Sequence, residues 1–217
     1  MPILSFDTIV EIQALSNFAH LVEGIIFGLV AIIALTQAWG YFRNGWKQYV
    51  WPGLIIFAGL FLFLFLVFHH GLDNVGITWN FILTYPQQQQ HLAISILLII
   101  AGVSEILFMT GFSKNFLLKL IWPAALIIIG LLFLIHPQHG TDVAVRLATT
   151  IHNFLGTILI LTGILRGIDV GSKLSHIRWF SFLWIILLFI VAILLMIYRE
   201  PEGAYREIPS HYYDISH

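Results

Sequence analysis

Residues Trp51 to His91 read WPGLIIFAGLFLFLFLVFHHGLDNVGITWNFILTYPQQQQH, and this stretch carries the punctuation that decides the fold. It opens on Trp51-Pro52-Gly53, runs apolar to Phe68, closes on His69-His70-Gly71-Leu72-Asp73, crosses a polar loop and turns apolar again at His91. The same order returns downstream. Trp122-Pro123-Ala124 opens a run, His136-Pro137-Gln138-His139-Gly140-Thr141-Asp142 closes it, and His152 begins the next. Self-similarity at a long, nearly fixed period dictates architecture before any residue chemistry is considered.

Outward from that stretch the composition is that of a polytopic membrane protein. Of 217 residues 59% are hydrophobic and only 10% charged, with a mean hydropathy of +0.92, outside the range of ordinary soluble domains. Crossing a hydrocarbon core of roughly 30 Å takes about 20 apolar residues. Six such runs can be placed, near 18–41, 50–70, 91–112, 117–136, 148–167 and 178–198. The first is too long and too far from residue 1 to read as a cleaved signal peptide. Residues 1–17 read as a short interfacial helix and 199–217 as a polar tail, within a single membrane domain over 1–217.

The spans alternate in kind. The first, third and fifth begin at His20, His91 and His152; 71 residues (20 to 91) and then 61 (91 to 152) separate them. Four residues after each histidine stands a small residue, Gly24, Ser95 or Gly156, and eleven after it another, Ala31, Gly102 or Gly163. Offsets of four and eleven share one helix face, so each odd span carries a histidine above a groove that lets a neighbouring backbone approach. The even spans follow cytoplasmic turns, and Trp51-Pro52 and Trp122-Pro123 suit an interfacial tryptophan with proline in the first helical turn. The sixth leaves at Tyr198-Arg199-Glu200-Pro201-Glu202-Gly203, which resembles the His-Pro-Gln-His-Gly exit with carboxylates replacing imidazoles. The expected fold is all-α: six transmembrane helices as three tandem two-helix hairpins, over roughly 18–90, 91–151 and 152–203, forming a bundle.

Arg43, Lys47, Lys114, Lys119, Arg166, Lys173 and Arg178, seven of the ten basic residues, follow odd spans. Cytoplasmic loops collect Lys and Arg, so both termini are expected outside, in the inner membrane of a bacterium or archaeon.

Nine of the ten histidines fall on the outer side, leaving only His176 opposite. His20, His69, His70, His91, His136, His139 and His152 all lie at outer span ends, so imidazoles from several helices converge in one layer. A lone histidine there reads as a headgroup-region residue; repetition at equivalent positions reads as a ligand cluster. Cysteine is absent, so any metal is held by nitrogen and oxygen, which suits a histidine-rich copper site, with zinc or iron next. Glu23, Asp73 and Asp142 are candidate oxygen ligands, or partners that fix imidazole tautomers. The expected function is a membrane metalloprotein that handles copper or transfers electrons, its partners the bilayer, other membrane subunits, or a periplasmic redox or metal carrier. The alternative cofactor is haem b, held by two histidines with its ring in the glycine grooves. A non-catalytic subunit of a larger membrane complex is the third reading.

Deeper in the membrane, Glu105 and Arg166 each follow their unit's histidine by 14 residues (91 to 105, 152 to 166) and are expected to pair, with a charge-swapped double variant recovering stability. No Walker loop, dinucleotide fingerprint or His-Glu-x-x-His helix supports nucleotide or metalloprotease chemistry, and no basic patch suggests nucleic acid.

Overall fold

A computed structural model of the protein describes residues 6–42, 44–68, 79, 82–112, 115–171 and 178–204. His69, His70, Asp73 and His176 therefore lie outside the described residues. Those described are mostly helical, with no strand among them.

The helices are α1 (Phe6–Ala38), α2 (Val50–Phe68), α3 (Pro86–Met109), α4 (Phe116–Leu134), α5 (Asp142–Gly171) and α6 (Arg178–Ile197), with a 3-10 turn, Gly45–Tyr49, leading into α2. The first five, α1 from Val10 onward and α2 with its 3-10 turn, are long and apolar enough to cross a bilayer; the apolar part of α6, Ser181–Ile197, is shorter. Among the described residues no separate interfacial helix precedes the first span, because α1 runs unbroken from Phe6. Its 33 residues measure about 50 Å, well beyond a hydrocarbon core of roughly 30 Å.

Each helix packs on its sequence neighbours, and α1 packs on α6, so the six close into a ring. The most extensive contacts join α4 to α5, α2 to α3 and α1 to α6. Glycine explains why. A Cβ on Gly59 would fall 2.6 Å from Ser95 O, and one on Gly130 2.6 Å from Gly156 O. A Cβ on Gly102 would fall 2.7 Å from Pro52 O, and one on Gly163 2.7 Å from Pro123 O. These are the same crossings shifted by 71 residues on one helix (59 to 130, 52 to 123) and 61 on the other (95 to 156, 102 to 163), the spacings of the histidines. In the third pair Gly24 sits against Met196 and Ala192.

Every helix sends a fully buried aliphatic residue into one continuous core: Val30, Ile55, Leu98, Leu126, Leu155 and Leu188. Phe57, Leu60, Leu64, Ile96, Ile100, Ile128, Leu131, Leu161 and Ile186 point outward and are exposed, the surface a helix shows to lipid. The tryptophans of the Trp-Pro pairs turn into the bundle: Trp51 and Trp122 are buried, 6.3 Å apart. Pro123 sits inside α4 rather than in its first turn. Its missing N–H costs one helix hydrogen bond, while its carbonyl faces the Gly163 crossing.

Mid-span polar side chains are closed on their own helices. Ser104 Oγ donates to Ala101 O and Thr162 Oγ1 to Ile158 O, which satisfies each hydroxyl without a partner from another helix.

Candidate metal centre

His20 is the fifteenth residue of α1, His91 the sixth of α3 and His152 the eleventh of α5, so none is a helix-start residue. Each nevertheless reaches the same end of the ring. There they meet His136, just past the end of α4. Ring centroids are 5.2 Å apart for His91 and His136, 5.0 Å for His136 and His152, and 6.4 Å for His152 and His20. Tyr198, at the end of α6, closes the chain of rings at 4.6 Å from His20 and 5.5 Å from His152. Phe133 forms an apolar wall against His136 and His152.

Three of these imidazoles are held alike. His20 Nδ1 lies 2.8 Å from Ser16 O, His152 Nδ1 2.8 Å from Ala148 O, and His136 Nδ1 2.6 Å from Gln90 Oε1. A carbonyl can only accept, so His20 and His152 donate from Nδ1–H and keep the Nε2 lone pair; His136 does likewise with the Gln90 amide oxygen toward it. Backbone or amide oxygen on one ring nitrogen is the usual support for a metal-binding imidazole. The rings are stacked or edge-on, and among the described residues no three His, Asp or Glu side chains already surround one point.

Burial, and then the neighbouring imidazoles His91, His152, His20 and His139, push the His136 pKa down to about 2. Burial also lowers that of His139, whose ring is more exposed and makes no ring contact with the cluster. Asp142 is exposed in the first turn of α5, behind Thr141, whose Oγ1 accepts from Ala144 N at 3.4 Å. It fixes no imidazole; Ser16, Ala148 and Gln90 do that. Glu23 is half-buried below the cluster, its enclosed Oε1 without a hydrogen-bond partner among the described residues.

A strap that the histidine pattern does not reveal covers the cluster. After α6 the chain turns back over α1. Glu200 takes hydrogen bonds from Ser16 Oγ (2.6 Å) and Tyr198 OH (3.1 Å), and its N–H donates to Asn17 Oδ1 (2.8 Å). Burial, followed by the Glu200 carboxylate, raises the Tyr198 pKa and keeps its proton on the phenol. Thr141 N donates to Gly203 O at 3.1 Å, and Gly140 bridges Ala204. Gly140 and Gly203 have φ of +125° and +90°, and a Cβ at Gly140 would run into Gly203 O, so glycine is required at this crossing.

At the opposite end of the ring Arg166 Nη2 lies 3.3 Å from Glu105 Oε1. Arg166 Nη1 also lies 2.9 Å from Asp169 Oδ2, an acid one turn further on the same helix that the 14-residue spacing does not single out. Asp169 accepts from Ser181 Oγ (2.7 Å) and Trp184 Nε1 (3.2 Å) as well, so it ties α5 to α6. The guanidinium lies over the rings of Trp184 and Trp51, at 4.8 and 6.0 Å. A charge this well enclosed acts as a fastener of helices.

No known protein family, curated protein or solved structure matches this chain.

Proposed function

We propose that the imidazole cluster binds a transition-metal ion, with copper preferred and zinc or iron next, in a six-span membrane protein built from three tandem two-helix units. In this reading the histidines face the periplasm, both termini lie on that side of a bacterial or archaeal inner membrane, and the ion is stored, delivered or used for electron transfer with a periplasmic carrier. The observation that carries it is the shared support of His20, His136 and His152, each with Nδ1 against a protein oxygen and Nε2 left to accept. The matching glycine crossings support the repeat.

The groups at the site divide the work. Ser16, Ala148 and Gln90 set the ring tautomers, Phe133 excludes water from one side, and the strap carrying Tyr198 and Glu200 covers the outside. A bound ion would supply Lewis acidity or a one-electron couple. Haem b fits less well, because the grooves its ring would need are filled: Gly24 by α6 and Gly156 by α4. The axial cavity beside His20 and His91 measures about 30 Å³, against roughly 300 Å³ or more for ordinary cofactor sites.

The test is elemental analysis with an optical spectrum of protein purified without chelators. Near-stoichiometric copper, zinc or iron, lost in His136→Ala and His152→Ala, supports the reading. A Soret band with stoichiometric iron would establish haem instead. Neither metal nor pigment would leave a structural subunit.

A further inference from the structure

All six helices enclose the cavity beneath the imidazoles, and its walls are apolar except at His20, Glu23 and His91. Its volume of about 30 Å³ has room for one water-sized occupant. Glu23 follows His20 by three residues, which puts both on one face of α1. The buried hydroxyls of Ser95, Ser104 and Thr162 close on carbonyls of their own helices. Glu23 Oε1 finds no such partner among the described residues.

The lone pairs at this cavity decide what can occupy it. His20 donates from Nδ1 to Ser16 O, so its Nε2 accepts; in the ionised form a cation would hold, the Glu23 carboxylate also accepts. Two acceptors in an apolar chamber call for a cation or a water that donates to both. Neutral imidazoles add no charge, whereas a carboxylate beside the ion offsets part of the cost of placing positive charge in a low dielectric. Hard oxygen suits divalent ions, while cuprous copper favours soft donors and low coordination numbers.

We propose, resting on the metal-site reading above, that Glu23 is an oxygen ligand that binds the ion from the membrane side, and that it makes the site select a divalent ion over cuprous copper. The experiment titrates full-length protein in detergent with Co²⁺, followed by its visible d–d bands, and with Cu⁺ in competition with a chromophoric chelator. Glu23→Gln keeps size and removes charge; it is expected to weaken Co²⁺ binding roughly tenfold or more while Cu⁺ affinity stays within about twofold. Unchanged Co²⁺ affinity and bands in Glu23→Gln would overturn the proposal, as would equal losses for the two ions. An infrared difference spectrum of wild-type protein, Co²⁺-loaded minus free, needs no variant: a perturbed carboxylate stretch supports the assignment, and its absence sinks it. If His136→Ala abolishes binding of both ions while Glu23→Gln changes nothing, only this inference fails. If wild-type protein binds neither ion, the metal-site reading fails with it.

Discussion

His136 and His152 lie face to face, their ring centroids 5.0 Å apart and their planes 18° from parallel. Two imidazolium ions could not share that geometry in a partly buried site without strong repulsion. The stack therefore does not carry a proton on both rings.

Acid sensitivity follows. The His136 pKa drops from an ordinary 6.5 to about 2 on folding. Between those values the unfolded chain holds a proton that the folded chain does not. This contribution to stability is full above pH 6.5 and is lost as pH falls, by about 1.4 kcal/mol per pH unit from this one group. Thermal unfolding in detergent, followed by circular dichroism from pH 8 to 4, should show Tm falling with acid and a flatter dependence in His136→Asn. Identical slopes would remove His136 as the cause.

Gln90 holds His136 by a single side-chain contact between different helical pairs. Gln90→Leu should leave the fold intact and lower metal affinity roughly 10- to 100-fold, the usual effect of removing such a support. Gln88→Ala, in the same run of glutamines, is the control. Equal affinities for wild type and Gln90→Leu, measured by competition titration, would count against the role given to the Nδ1 contacts.

Arg166 carries two acids, so removing it strands both. Arg166→Met is expected to cost about 3–5 kcal/mol, the penalty for breaking a buried pair from one side. The charge-swapped pair Glu105→Arg with Arg166→Glu should fail to recover, because the new glutamate would face Asp169 across the contact Arg166 now makes at 2.9 Å. Adding Asp169→Asn to the swap should restore part of the loss. Recovery by the simple swap would show that Asp169 is not coupled to the pair.

Gly130 and Gly53 separate packing from propensity. A Cβ on Gly130 meets Gly156 O at 2.6 Å, whereas one on Gly53 meets nothing within 4 Å. Gly130→Ala should cost about 1–3 kcal/mol through overpacking, and Gly59→Ala about as much if the two crossings are equivalent. Gly53→Ala should be neutral or stabilise by up to about 1 kcal/mol. Chemical denaturation of the three variants in one detergent decides it.

How much of this was legible beforehand can be argued from particular residues. The helices were, because an apolar run bounded by Trp-Pro and His-Gly signals has few alternatives. The small-residue offsets after His20, His91 and His152 pointed at Gly156 and Gly163, where backbones do cross. The groupings that begin at those histidines do not match the tightest pairs, because packing joins α2 to α3 and α4 to α5 across them. Trp51 and Trp122 turn toward the core, which a preference of tryptophan for the interface does not foretell. Asp142 looked like a partner for imidazole by proximity in sequence; the work falls to Gln90, 46 positions away from His136. Contacts of that separation leave no periodic mark. Tyr198 and Glu200 did leave one, in the likeness between two helix exits, but that likeness carries no information about where the strap lands.

The three tight pairs each supply something to one cluster of rings: α1 with α6 brings His20 and Tyr198, α2 with α3 brings His91, and α4 with α5 brings His136 and His152. The seams between pairs are the less extensive contacts of the ring. A single guest drawing these imidazoles together would act as a rivet across all three seams, so occupancy would be felt as cohesion of the whole assembly. The rise in Tm with free ion concentration would follow RT ln(1 + [L]/Kd), and the barrel of helices would loosen first where its emptied keystone had been.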